Sequence, residues 1–534
     1  MKKTKVLYIG SLLLFVVALV YGGSINMPII STHQNVQQTK YGSFLAAQHA
    51  IYINDFTTAA EYTSSLDDKD GTIVKNTKVL ASFLSGKLPE NVADLSKESG
   101  TPARLIYDAY LVEQGDWNKL YARHKNDSSA LAASLRIWAS VAINHRTEAI
   151  KFVDSLQTNA SWKSFVHGQI YAETGNIEKA TAEFENVRPD FMNINDYLYI
   201  MSFYRHNGLT DKADALRKDF TSRPGGMFML DYDNVPDWSR FSGTKNALAF
   251  SLIQNVSHTQ VMMYSDLSIL LLRFAQIISN ENSNNDAINY YIGQYFFNNN
   301  GDYGAYFSKI DSNSPFYLFA TLRECEDSGN MAKLQRVTRN HSLFVPAINK
   351  LVAYYTAKGD KGAALRILRR AMDNKRISDS AHAFFLKNRA LVYYTFGDLN
   401  KAQSDIRAAS DILTVDPEIL VVQAKIWAEQ NRELDTAYEY AMTLVQRNPS
   451  DVLAWDVLGR VVAAREGVDA ALELIERVGD VAKECSSLFE GLGDLYVKAG
   501  KYELAQDAYL KAIDLSGDGM VIVPKIQKKI RKLK

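Results

Sequence analysis

Cysteine is almost absent from this 534-residue chain: only Cys325 and Cys485 occur, far apart in sequence. Without a CxxC pair there is neither a zinc ribbon nor a thioredoxin-type redox motif, and two thiols are too few for a four-cysteine rubredoxin-like metal site. Two isolated, buried thiols are expected, since a disulfide needs Cα atoms within about 7 Å. Proline is scarce too, with 11 residues. Asn-Gly and Asp-Gly turns between alternating apolar runs are nearly missing, which disfavours sheet and favours long helices. There is no H-E-x-x-H, G-x-S-x-G, Walker A or G-x-G-x-x-G sequence, so no familiar reaction is announced and no cofactor is expected. Beyond the first 21 residues, no apolar run reaches the 18 or so that a spanning helix needs.

Net charge is also lacking: 60 basic residues balance 60 acidic ones. Their distribution is uneven. Lys2, Lys3 and Lys5 open the chain, and Lys525, Lys528, Lys529, Arg531, Lys532 and Lys534 close it, with no acid at either end. Without the first 22 and last ten residues, 51 basic residues face 60 acidic, a body charge of about −9. An acidic body lacks the basic field that nucleic-acid binding requires, so no nucleic-acid partner is expected. With 47% hydrophobic residues the chain is of folded type, too long for one ordinary core, which implies several domains or one long array.

The start, "MKKTKVLYIGSLLLFVVALVYGGS", sets an apolar run from Val6 to Tyr21 behind three lysines. At about 1.5 Å per residue the run falls short of a roughly 30 Å hydrocarbon core. Small residues Gly22, Gly23 and Ser24 follow, so a cleaved signal over 1–22 is favoured over a membrane anchor, with a linker over 23–39. Either way the body is expected outside the cytoplasm, in a bacterial periplasm or held at the inner membrane facing it.

What the chain has in abundance is a recurring unit. In "FEGLGDLYVKAGKYELAQDAYLKAI", take Gly493 as position 8. Tyr496 is then 11, Gly500 is 15, Ala505 is 20, Tyr509 is 24 and Ala512 is 27. Thirty-four residues earlier, Trp455, Leu458, Gly459 and Ala471 fall at 4, 7, 8 and 20. Ala437, Ala441 and Pro449 continue the step, as do Ala390, Tyr393, Gly397, Ala402 and Ala409, and then Tyr355, Gly359, Ala364 and Ala371. Positions 4, 7, 8 and 11 share a face of one helix; 20, 24 and 27 share a face of the next. Small residues let the two backbones approach, aromatics fill around them, and Gly at 15 suits the turn. One hairpin cannot bury its own apolar face, so neighbours must stack.

This text resembles the tetratricopeptide repeat, a 34-residue helix–turn–helix. The resemblance implies an all-α solenoid of helical hairpins, a right-handed superhelix, with clean repeats over 345–516. Looser units extend over 40–220: "FVHGQIYAETGNIEKATAEFENV" carries Gly168, Tyr171, Gly175, Ala180 and Phe184, whereas 72–158 looks helical in no clear register. The stretch 221–344 reads as an irregular linker with degenerate repeats, and 517–534 as a basic capping helix. With "YGSFLA" at Tyr41–Ala46, the layout is similar to long exported repeat proteins of alphaproteobacteria, which adds location more than activity.

In such repeats positions 2, 5, 9, 12 and 13 line a concave groove. Here they include Asn349; Lys387 and Tyr394; Glu429 and Gln430; Asp456 and Arg460; Glu490, Asp494 and Lys498. This polar set of both signs suits an extended peptide or a helix. The resemblance therefore implies a non-catalytic protein-binding scaffold of the envelope, its partner not named by the sequence. Trp162 and Phe165 are read as core in preference to an apolar hot spot. Two alternatives stand beside this reading. One is an enzyme with an unrecognised site in 221–320, where Asp231, Asp233 and Asp237 are read as a solvated acidic loop in preference to a weak calcium site, since the EF-hand glycine and final Glu are missing and no metal is expected. The other is a protein that coats an anionic membrane surface through Lys525–Lys534.

Overall fold

The computed structural model describes residues 39–533 apart from short stretches at 91, 98–99, 128, 233–234, 259–264, 280–284, 414–415 and 479–484. The expected signal, most of the linker, Asp233 and Lys534 lie outside the described residues. What is described contains 28 α-helices, a few 3-10 turns and no strand.

The first helices are α1 (Lys40–Tyr52), α2 (Phe56–Thr63) and α3 (Thr72–Leu84). Four hairpins follow: α4 (Thr101–Glu113) with α5 (Trp117–His124), α6 (Ala130–Ala142) with α7 (Arg146–Ser155), α8 (Ala160–Glu173) with α9 (Ile177–Glu185), and α10 (Ile194–His206) with α11 (Thr210–Thr221). The middle holds α12 (Thr244–Ser257), α13 (Asp266–Ile278), α14 (Asn285–Asn298), α15 (Gly304–Phe307), α16 (Pro315–Ser328) and α17 (Met331–Asn340). Five further hairpins pair α18 (Val345–Ala357) with α19 (Lys361–Met372), α20 (Asp379–Thr395) with α21 (Leu399–Ile412), α22 (Pro417–Gln430) with α23 (Leu434–Arg447), α24 (Val452–Arg465) with α25 (Val468–Val478), and α26 (Ser486–Lys498) with α27 (Tyr502–Asp514). Helix α28 (Val523–Arg531) ends the described chain.

Local chemistry accounts for the punctuation. Asp416 caps α22 by accepting from the Glu418 amide, and Pro417 occupies the first turn, where its missing N–H costs nothing. Between α26 and α27, Gly500 takes φ +72°, the left-handed turn that position 15 requires. Between α22 and α23 that place is filled by Asn431 at φ +54°, a residue that tolerates the region. Asn144 does the same between α6 and α7. That hairpin lies in the stretch whose register is unclear from sequence, because its turn carries no glycine.

Consecutive first helices α20, α22, α24 and α26 pack directly on one another, whereas consecutive second helices share no comparable contact. The C-terminal array therefore curves with its first helices on the inside. In the N-terminal array the first helices are covered by the chain itself. Helix α12 packs on α6 and α8, and α13 on α3 and α4. Phe250 of α12 stacks on Phe165 at 6.1 Å between centroids, so Phe165 is core as expected. Ser251 and Asn255 both donate to Ser134 Oγ, at 2.9 and 3.1 Å. One hydrophobic core runs unbroken from Phe56 to Leu351. The expected boundary at residue 220 thus does not divide the core, since α12 and α13 supply the surface that α4, α6 and α8 bury.

The irregular stretch after α11 is a bracket between the two arrays. Met227 is fully buried with Leu343, Val345, Ile348 and Phe385 of the C-terminal array. Arg376, in the turn before α20, donates to the Leu230 carbonyl at 2.6 Å and pairs with Asp231. Ser378 and Ser380 donate to the Ser222 carbonyl at 2.7 and 3.0 Å.

Candidate functional site

The inner face of the C-terminal array is a continuous ladder of polar contacts between neighbouring units. Asp456 on α24 is its centre. Lys425 on α22 approaches it at 2.6 Å, Arg460 one turn along α24 at 2.9 Å, and Ser487 on α26 donates to it at 2.8 Å. Arg460 continues the row, donating to the Ser487 carbonyl at 2.7 Å and reaching Glu429 at 3.4 Å. Tyr394 on α20 donates to Glu429 at 3.3 Å. Lys387 pairs with Glu418 of the next unit. At the far end, Lys529 of α28 lies 2.8 Å from Glu490 and 2.7 Å from both oxygens of Asp494.

Burial sets the electrostatics. Loss of water alone would raise the Asp456 carboxyl, but Arg460 and Lys425 outweigh it and hold the group below the usual carboxylate range. Burial would likewise lower Arg460, and Asp456 beside it pushes it well above its ordinary value. The Tyr394 hydroxyl is pushed up, chiefly by burial. These groups stay charged or neutral throughout the ordinary pH range, so the ladder is a fixed framework.

The ten residues expected to face a ligand divide accordingly. Asp456 is 1% exposed and Lys387 4% exposed. Neither presents its charge to a partner, because each is the buried half of a contact with the neighbouring unit. Arg460 and Glu490 are mostly covered, committed to Asp456 and Lys529 respectively. Asn349, Glu429 and Lys498 are exposed, and Tyr394, Gln430 and Asp494 half-buried. Sequence reasoning passed over Lys425 and Ser487, and read Lys529 only as part of the basic tail. A signal for Lys425 existed: it stands at position 8, where the other clean units carry Gly493, Gly459, Ala390 and Val352, none of them charged. A lysine there has to reach out of the helix contact to a neighbouring acid.

The ladder is closed at one end by the C-terminal segment. Asp518 accepts from the Ser486 amide at 2.9 Å and its hydroxyl at 2.5 Å, capping α26. Gly519 lies on Ala353 of α18, so tightly that a Cβ there would overlap the Ala353 backbone. The last unit of the array thus touches the first. Helix α28 buries Ile526 against Tyr509 and Val521, with Ile530 and Leu533 beside it, and leaves Lys528, Arg531 and Lys532 exposed.

The chemistry proposed for the middle takes another form. Asp231 is held by Arg376, and Asp237 caps a 3-10 turn by accepting from the Ser239 amide at 2.9 Å. Among the described residues no cluster of His, Cys, Asp or Glu is arranged to hold a metal. A cavity of about 260 Å³ lies beside this segment, lined in part by Asp237, Arg240, Asp286 and Asp311. Asp286 there accepts from the Asp311 amide at 3.1 Å, so it too braces backbone. Cys325 and Cys485 are free and buried, and burial pushes the Cys485 thiol up to about 12, which keeps it unreactive.

Residues 487–518 match the family model of the tetratricopeptide repeat. The all-helical array of stacked hairpins is the solenoid that this repeat builds, a class of fold that binds other proteins. No curated protein matches the chain. Among solved structures it is similar to the crystal structure of the APC/C hetero-tetramer Cut9–Hcn1, with 11% identity, 92% of this chain and 96% of that chain covered, and a TM-score of 0.34. It is also similar to yeast Tom70, with 12% identity, 92% and 95% covered, and a TM-score of 0.24.

Proposed function

We propose that the chain is a non-catalytic interaction scaffold of the bacterial envelope. A partner peptide or helix lies along the inner face of α18, α20, α22, α24 and α26. The observation that supports this most is the ladder itself. Neighbouring units hold Tyr394, Glu429, Arg460 and Asp494 in place before any partner arrives, so binding loses little side-chain entropy. Exposed Asn349, Glu429 and Lys498, with half-buried Gln430, offer donors and acceptors of both signs along that row. The basic, apolar first 22 residues support export. Among the described residues, no helix is long and apolar enough to cross a membrane.

Photo-crosslinking amino acids at Asn349, Gln430 and Lys498 test the reading, with Ala408 and Glu439 on second helices as controls. One partner captured from envelope extract by the inner positions and not by the controls is expected. Capture by the controls alone, or by none of the five, would sink it. The exposed Lys528, Arg531 and Lys532 favour a second reading, attachment to an anionic membrane surface. Loss of vesicle binding on removal of 521–534, with crosslinking unchanged, is its signature.

A further inference from the structure

The outer face of the junction carries a charge imbalance unrelated to the inner ladder. Residues 331–372 hold nine lysines and arginines against one acid, Asp360, in a body that is acidic as a whole. Helix α17 turns Leu334 and Thr338 inward and leaves Arg336 and Arg339 exposed. Helix α19 buries Ala364, Leu368 and Ala371 and leaves Arg366, Arg369 and Arg370 exposed on the opposite face, spaced i, i+3, i+4. Among the described residues, no carboxylate pairs with any of these five guanidinium groups, although Lys333, Lys350, Lys361 and Arg376 around them are all paired. One cation in a last turn favours the helix dipole. Three unpaired like charges on one face of α19 repel, and the dipole does not account for all of them.

The arginines also frame a concavity. Arg366, Arg369 and Arg370 line an open cleft of about 410 Å³ together with Ser342, Asn374 and a single acid, Asp373. Guanidinium forks match phosphate oxygens two at a time, which a lysine does not, and hydroxyl and amide groups add donors. Between 331 and 377 no large hydrophobic side chain is exposed, so the site has nothing to insert into a bilayer.

We propose that this cleft binds a compact soluble group carrying two or more phosphates. Arg366, Arg369 and Arg370 clasp it, and Arg336 and Arg339 add to the attracting field. Asp373 opposes binding and limits affinity. The site lies on second helices, so it is independent of the inner-face reading.

Titration of the full chain with pyrophosphate, followed by calorimetry at two salt concentrations, is the test. Saturable binding that weakens with salt is expected. Arg369→Ala/Arg370→Ala should weaken it at least tenfold, and Asp373→Asn should tighten it several-fold, a gain that a merely structural role would not produce. Lys358→Ala, in the same basic stretch but outside the cleft, should leave it unchanged, with circular dichroism confirming that each variant is folded. No saturable binding, or equal binding by the double variant, overturns the proposal. So does tighter, arginine-dependent binding of phosphatidylglycerol vesicles or of a glutamate-rich peptide, which would assign the patch to a membrane or to an acidic protein instead.

Discussion

The ring of Tyr509 lies against Gly493 so closely that a Cβ added at Gly493 would stand 2.5 Å from Cδ1 and Cε1. The Tyr509 hydroxyl then donates to Asp494 at 2.6 Å, on the helix that Gly493 opens to it. Position 8 is small because position 24 is large. Gly493→Val should lower stability by about 1–3 kcal/mol, as overpacking does. Tyr509→Leu in the same chain should return part of that loss, and a double-mutant cycle from urea denaturation measures the coupling.

Removing the centre of the ladder should cost more than removing its edge. Asp456→Asn strands Lys425, which is 2% exposed, and should destabilise by about 3–5 kcal/mol. Glu429→Gln removes an exposed partner and should stay within about 0.5 kcal/mol. Comparable urea midpoints for the two variants would contradict the burial argument.

Glu173 gives a pH dependence with a defined sign. Burial raises its carboxyl to about 7, against the Gly243 amide that donates to it at 2.8 Å. Its folded value lies above its unfolded one, so the folded state holds the proton more tightly. Stability should therefore fall as pH rises from about 4.5 to about 7 and level off above. Glu173→Gln keeps an acceptor for Gly243 and removes the charge. It should flatten that part of the profile and stabilise by about 1–3 kcal/mol at pH 8, read from thermal midpoints across the range.

Closure of the C-terminal array is testable at Gly519. Its φ is +74° and its Cα faces the Ala353 backbone, so Gly519→Val is strained and overlapping. Hydrogen exchange should speed up both in 516–531 and in α18, more than 150 residues earlier in the chain. Faster exchange confined to 516–531 would show that the two ends are not coupled.

Much of the fold was legible because hairpins are written in local offsets. Gly168 meets the ring of Phe184 as Gly493 meets Tyr509, and both pairs stand 16 residues apart in the text. A third pair, Gly293 and Phe307, makes the same close contact in the middle segment. Its signal, Gly293 in "NYYIGQYF", was obscured because the spacing shrinks to 14 and α15 is only one turn long. The site was less legible. Positions 5 and 9 placed Lys387, Asp456, Arg460, Glu490 and Asp494 on a groove meant for a ligand, whereas their side chains are engaged by Glu418, Lys425, Ser487, Lys529 and Tyr509 of the chain itself. An offset within one helix carries no information on how near the next element stands.

Sequence alone settles that this chain is a stack of helical hairpins, where most of its turns fall, and that its thiols form no motif. Those properties depend on the 3.6-residue helical period and on single residues that permit left-handed backbone, all within one unit. Tertiary structure alone decides that α12 and α13 cover first helices of the N-terminal array, that Asp231 braces a junction, and that Gly519 meets Ala353. It also decides which groove charges are buried. Each of these depends on how units stack, through partners that lie from the next unit, as Lys387 and Glu418 do, to more than 140 residues away, as Asp231 and Arg376 do, which no spacing within one unit encodes.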